Sequence, residues 1–127
     1  MEKITNSINW VEIPVLNFDR AKEFYSRIYD FEMYEEIIGA CRMGFLPMDR
    51  NPEGVGGAIV QGNGYTPTSL GAMVYLNGGK DLLTVLNRVE GAGGDVLTHK
   101  TKITDEIGYF AAFVDTEGNH IYLHSKE

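Results

Sequence analysis

Cysteine is almost absent from this 127-residue chain, in which Cys41 is the only one. A single cysteine excludes an intrachain disulfide, so we expect the fold to rest on a hydrophobic core. The length is sufficient for one compact domain with such a core. Because structural disulfides belong to oxidising compartments, the composition fits a protein of a reducing compartment.

Positive charge and long apolar runs are also scarce. Eleven Lys and Arg residues stand against 18 Asp and Glu residues, which gives a formal net charge of −7. This balance argues against a nucleic-acid partner, since such proteins present a basic face. No segment approaches the roughly 20 apolar residues of a membrane span, and residues 1–7 lack the apolar run of a signal peptide. We therefore expect a cytoplasmic protein with neither nucleic acid nor a membrane as its partner.

The sequence does contain a repeated order of predicted secondary-structure elements. Strand-like and helix-like hydrophobic patterns follow each other as strand, helix and three strands, first in a module at about 6–62 and again at about 70–126. A glycine-rich linker at 62–69 separates the modules. The predicted fold class is α+β, as a single domain over 1–127. The predicted strands are 8–14, 31–38, 41–48, 56–61, 70–76, 95–102, 109–114 and 120–124, and the predicted helices follow Asn17 and cover 80–90.

Each module has one helix, which can cover only one face of its four strands. Two such sheets, curved inward with the helices outside, would enclose a cleft. The faces opposite the helices would then line the cleft. By strict alternation along the strands, this cleft face is predicted to include Trp10, Glu12, Gln61 and Tyr122.

The last hairpin gives the clearest local pattern. Tyr109–Val114 is a strand-like run, and the turn at 115–119 offers Gly118 for a positive φ. In the strand that follows, His120, Tyr122 and His124 share one face, while Ile121 and Leu123 share the other. The apolar face is predicted to pack under helices and the ring-bearing face to line a cavity. An edge strand with a solvated face is the alternative.

Four segments together resemble the vicinal oxygen chelate superfamily, the group of glyoxalases, bleomycin-resistance proteins and extradiol dioxygenases. They are WVEIP at 10–14, DRAKEFY at 19–25, GAGGDV at 91–96 and GYFAAFVDTEGN at 108–119. The resemblance covers nearly the whole chain. It implies two βαβββ modules that form a cupped mixed sheet around one site, and a homodimer as the usual assembly.

The resemblance also implies a divalent metal, held by His, Glu or Gln at inward positions of four strands. In this sequence those positions fall on Trp10, on Ile59 or Gln61, near Val74 and on Tyr122. Trp and Val do not ligate metals and Tyr does so rarely, whereas such a site needs about three or four ligands. We therefore predict no metal site and no cofactor.

The resulting prediction is a protein that binds a small, aromatic molecule in the cleft, as in the bleomycin-resistance branch. The predicted ligand-binding residues are Trp10, Glu12, Gln61, Val74 and Tyr122, with the two largest rings stacking on the ligand.

Two other functions stay open. One is a lyase, isomerase or dioxygenase of the same superfamily, using a divalent metal or metal-free acid/base chemistry. No catalytic residue is assigned, and Glu12 and His120 are the candidates for such chemistry. The other is a partner-binding subunit that has lost the site.

Overall fold

The computed structural model describes residues 3–49 and 53–127, and over these residues it contains two helices and eight strands. Their order is the predicted βαβββ pattern, twice, so the α+β prediction is confirmed. The described part of the chain has no helix with the length and apolar character that a membrane span requires. The elements are β1 (Trp10–Pro14), α1 (Phe18–Tyr29), β2 (Glu35–Ile38), β3 (Cys41–Phe45), β4 (Gly56–Gln61), β5 (Tyr75–Asn77), α2 (Leu83–Val89), β6 (Asp95–Thr104), β7 (Gly108–Val114) and β8 (His120–Ser125).

Each module forms its own four-stranded mixed sheet with the same topology. The first sheet has the order β1-β4-β3-β2 and the second has β5-β8-β7-β6. In both, the first strand pairs in parallel with the last strand of its module, and the remaining pairs are antiparallel. This common topology supports the internal duplication inferred from element order.

Helix α1 begins and ends where its sequence signals predict. The Asn17 side chain accepts a hydrogen bond from the Arg20 N–H at 3.1 Å, which satisfies one of the free donors of the first turn. The helix ends at Asp30, which adopts the left-handed conformation with φ 49°. Between these caps, an apolar stripe is buried as predicted: Ala21, Phe24, Tyr25 and Ile28.

A continuous hydrophobic core joins the two modules through α1. The ring of Phe24 lies 5.8 Å from that of Phe113 in β7, centroid to centroid. The hydroxyl of the buried Tyr25 donates to Asp115 Oδ2 at 2.7 Å, where β7 ends. Since α1 contacts strands of both sheets and also α2, the face of each sheet that carries its helix belongs to the same core.

Several strands are shorter than the sequence predicts. The segment 31–34 lies outside β2, and Met33 within it is buried in the core at 3% exposure. The predicted strand at 70–76 shrinks to three residues, and Leu70 before it is 80% exposed. Residues 70–74 are therefore outside the strand, although the Val74 carbonyl oxygen still accepts the Tyr122 N–H of β8 at 2.9 Å. In contrast, β6 runs two residues past its predicted end, to Thr104.

Candidate functional site

The first sheet presents Trp10 and Glu12 on the face opposite the helices, called the cleft face below. Val11 and Ile13, which alternate with them along β1, pack into the core shared with α1. Ile13 is 2% exposed, whereas Trp10 is 42% exposed. The predicted alternation of faces is therefore correct for β1. The ligand-binding role of these two side chains stays a prediction.

Aromatic rings continue across this cleft face from Trp10. The ring of Phe45 in β3 meets Trp10 edge-on with centroids 6.2 Å apart. On its other side Phe45 stacks on Tyr34, with centroids 5.9 Å apart and planes inclined by 20°. Such contacts hold large flat side chains in fixed orientations at a surface, which is the form of a stacking platform.

The carboxylate of Glu12 is fixed by two hydrogen bonds from aromatic side chains. Trp10 Nε1 donates to Oε2 at 3.2 Å, and the Tyr65 hydroxyl donates to Oε1 at 2.8 Å. The hydrogen bond to this carboxylate, followed by partial desolvation, raises the pKa of Tyr65 above its ordinary value. Glu12 is thus a positioned anion on the cleft face, and Tyr65 in the inter-module linker reaches across to it.

The second sheet carries a different set of groups on its cleft face. His120, Tyr122 and His124 are half-buried on one side of β8, whereas Ile121 and Leu123 are buried in the core, so the predicted alternation is confirmed. The Tyr122 ring stacks on Tyr75 of β5 with centroids 4.9 Å apart and planes inclined by 29°.

The two histidines of β8 differ in their surroundings. His124 Nε2 lies 2.7 Å from the carbonyl oxygen of Ile107, so the imidazole donates there. The imidazole of His120 has no hydrogen-bond partner among residues 3–49 and 53–127. His120 pairs with Val114 across the ladder and is half-buried. It therefore stays a candidate for acid/base chemistry without an observed partner.

A cavity of about 490 Å³ lies between the start of β1 and strand β5. Trp10 and Val74, two of the predicted ligand-binding residues, both line it, as does Tyr75, on whose ring Tyr122 stacks. The volume falls within the range of small-molecule sites, about 300–1,000 Å³. Further apolar side chains at its rim are Ile8, Val55 and Met73, each of them exposed.

Gln61 does not lie on the cleft face, where it was predicted. Its Oε1 accepts the Phe18 N–H at 2.8 Å, at the first residue of α1, so the side chain lies on the helix side of the sheet. The alternation along β4 was right, but the face was wrong: Ala58 and Val60 are the residues that β4 presents to the cleft side. A free N–H at the helix start explains why an amide side chain is placed there.

The metal positions implied by the resemblance do not form a metal site. Trp10 contributes an N–H that donates to Glu12, Ile59 is fully buried in the core, and Val74 has no ligating atom. Gln61 is bound to α1, and Tyr122 is stacked on its neighbour. Among the described residues, no three His, Cys, Asp or Glu side chains lie close enough together to hold an ion. The donor set therefore does not fit the metal of the superfamily.

Sequence reasoning missed Tyr34, Phe45, Tyr65 and Tyr75, the other aromatic residues of this region. Phe45 and Tyr75 alternate correctly along their strands and could have been assigned to the cleft face by register with Trp10 and Tyr122. Tyr65 gave no such signal, because it lies in an irregular glycine-rich linker where no periodicity applies.

Comparison with solved structures decides the fold. Maize glyoxalase I superposes with a TM-score of 0.71 at 19% identity over 93% of this chain, which spans 45% of the maize protein. A glyoxalase/bleomycin resistance protein/dioxygenase family enzyme from Burkholderia phytofirmans PsJN gives a TM-score of 0.66 at 10% identity, covering 94% of this chain and 98% of the other. The chain has the vicinal oxygen chelate fold.

One neighbour of this fold is a binding protein. TnmS3, an antibiotic-binding protein from Streptomyces sp. CB03234, superposes with a TM-score of 0.65 at 21% identity over 99% of this chain and 100% of its own. No family model and no curated protein sequence matches the chain. At these identities the comparisons establish the fold, and the activity has to be argued from the site.

Proposed function

We propose that this protein binds a small, planar aromatic molecule at its cleft faces, without a metal. The observation that carries the proposal is a pair of fixed aromatic platforms, Trp10 with Phe45 on the first sheet and Tyr75 with Tyr122 on the second. A cavity of about 490 Å³ is lined by one ring of each platform, Trp10 and Tyr75, and gives a ligand a place against these two rings. Stacking on flat side chains recognises planarity and tolerates variation in substituents.

Two further observations support binding rather than the metal chemistry of the glyoxalases. The positions that would ligate an ion carry groups that cannot do so or that are already bound elsewhere. In addition, a neighbour that matches this chain over 99% of it and over 100% of its own length is an antibiotic-binding protein.

The working form in this proposal is a cytoplasmic homodimer. Exposed hydrophobic side chains surround the cavity, among them Ile8, Val55, Met73 and Tyr75, with exposed fractions from 41% to 57%. Grouped exposure of this kind is typical of surfaces that another molecule covers. Sedimentation equilibrium of the full chain gives the test: the proposal expects twice the 14.2 kDa chain mass, and a monomer at micromolar concentration would refute the dimer.

The binding proposal is tested by calorimetric titration with ethidium, a planar aromatic cation, and with Nile red, a planar neutral dye. Tyr122→Ala removes the partner of the second platform and is expected to weaken binding about tenfold, because a base-sized stacking contact contributes about 1–3 kcal/mol. Tyr109→Phe is the matched control, since its ring faces Lys100 on the helix side of the second sheet.

Equal dye affinity in wild type and Tyr122→Ala would show that the second platform does not contribute to dye binding. Failure of both dyes to bind saturably would contradict the proposed function for this class of ligand.

A further inference from the structure

An apolar patch on the cleft face of the first sheet is covered by the chain itself. Met43, Ala58 and Val60 form a small cluster in which Ala58 and Val60 are fully buried and Met43 is 8% exposed. Their strand neighbours on the opposite face, such as Ile59, belong to the helix core, so α1 does not cover this cluster. What packs against it includes Tyr65, from the linker at 62–69.

The linker is held in this position by side chains of both modules. The Tyr65 hydroxyl donates to Glu12 Oε1 at 2.8 Å, and the Thr68 N–H donates to Asn119 Oδ1 at 3.1 Å. Between the strand and Tyr65, Gly64 adopts a positive φ of 86°, which lets the chain fold back over the sheet. The linker therefore lies as a strap over the apolar cluster, fastened at Glu12.

We propose that Tyr65 is a latch, and that a planar ligand with a cationic or N–H-bearing nitrogen opens it by taking its place on Glu12. This inference rests on the proposed function and narrows its ligand class. Opening would free one carboxylate oxygen and the apolar cluster together, so that the ligand gains an ionic hydrogen bond and an apolar surface. Trp10 stays bonded to the other oxygen of the same carboxylate, which keeps Glu12 aimed at the site.

The proposal makes an unusual prediction for a conservative substitution. Tyr65→Phe keeps the ring but removes the hydroxyl, so the closed state loses its bond to Glu12 and ethidium no longer competes with it. We expect ethidium to bind Tyr65→Phe about three- to tenfold more tightly than wild type, the change that the net contribution of one exposed hydrogen bond permits. If the Tyr65–Glu12 hydrogen bond only supported the shape of the binding site, its loss in Tyr65→Phe would weaken ethidium binding instead.

Two further variants are compared with Tyr65→Phe in this titration, one without the Glu12 carboxylate and one as a matched control. Glu12→Gln removes the anion that the ligand is inferred to take, and it is expected to weaken ethidium binding several-fold while changing the binding of neutral Nile red less. Tyr109→Phe removes a phenol hydroxyl from the helix side and is expected to match wild type. Equal or weaker ethidium binding by Tyr65→Phe than by wild type would overturn the latch and leave the proposed function standing.

A second measurement needs no ligand and separates the two proposals. Amide hydrogen exchange of residues 62–69 in the ligand-free proteins is expected to be faster in Tyr65→Phe and Glu12→Gln than in wild type and Tyr109→Phe. Exchange in the strap that is unchanged by both substitutions would overturn the latch, whatever the dye titration gives. If the strap loosens as expected but neither dye binds any variant, Tyr65 holds the strap, but the ligand-opened latch and the proposed ligand class are both overturned.

Discussion

The two sheets have the same topology and very different cleft faces. On the first sheet, Glu12 accepts bonds from two aromatic side chains and a strap covers the apolar cluster behind it. On the second sheet, the Tyr75–Tyr122 stack meets the cavity edge, and His120 beside it has no hydrogen-bond partner among the described residues. A duplicated backbone can therefore carry two surfaces with different chemistry.

The helix sides of the same sheets show the opposite behaviour. They share an apolar core in which Phe24, Phe113 and Leu123 are fully buried. Burial on the helix side holds the modules together, while the cleft side carries the exposed aromatic and charged groups of the proposed binding site. Substitutions on the two faces should therefore separate stability from binding.

The largest expected effect comes from breaking the shared core. Phe24→Ala removes a fully buried ring that contacts Tyr25 and Phe113. We expect the free energy of unfolding to fall by about 3–5 kcal/mol, the range for such cavities. Urea denaturation at neutral pH gives the measurement, with Phe45→Ala on the cleft face as the comparison. A loss for Phe45→Ala as large as that for Phe24→Ala would contradict the division between faces.

A smaller effect is expected where the turn between β7 and β8 reaches α1. The Glu117 carboxylate accepts bonds from the Leu16 and Asn17 N–H groups at 3.0 and 2.7 Å and from Arg20 Nε at 2.7 Å. Partial desolvation raises the pKa of Glu117, but the bonds from Arg20 and these N–H groups outweigh it and lower the pKa below its ordinary value. The carboxylate thus links the turn of the second module to the start of α1.

The sign of the pH dependence follows from this lowered pKa. Stability from Glu117 is fully present above the unfolded-state value of about 4.3 and is lost as pH falls through the folded-state pKa. Glu117→Gln should lower the free energy of unfolding at pH 7 by about 1–3 kcal/mol, and the difference from wild type should shrink at pH 3. Glu23→Gln, at an exposed position of α1, is the control. A difference that is the same at both pH values would refute the role of the charge.

Much of the fold could be predicted from the sequence, because its signals are local. The N-cap at Asn17, the apolar stripe of α1 and the alternation of β8 each depend on neighbours within a few residues, and each was right. Gly118 also adopts the positive φ, 93°, expected in its turn. The predicted strand at 70–76 was right only for its last two residues, because β5 begins at Tyr75, where pairing with Tyr122 begins, and pairing is not a local property.

The site was predicted less completely, for reasons that are physical. Which face of β4 points to the cleft depends on where α1 packs, and Gln61 was misassigned because its amide binds the start of that helix. Tyr65 could not be found, since its contact with Glu12 spans 53 residues and begins in a linker without periodicity. Trp10 and Tyr122 were placed on the correct faces because each lies in a regular strand.

The most direct test of the central claim is thermal unfolding of protein purified without chelator, with metal content measured by mass spectrometry on the same sample. Nickel, zinc, manganese and iron form one set of additions and ethidium the other. A ligand that binds the native state alone adds about 2.7 kcal/mol of stability at 100 times its Kd. We predict that ethidium raises the Tm, that the metals do not, and that no stoichiometric metal is present. About one metal per chain with a large Tm increase from the metals, and none from ethidium, would contradict the account.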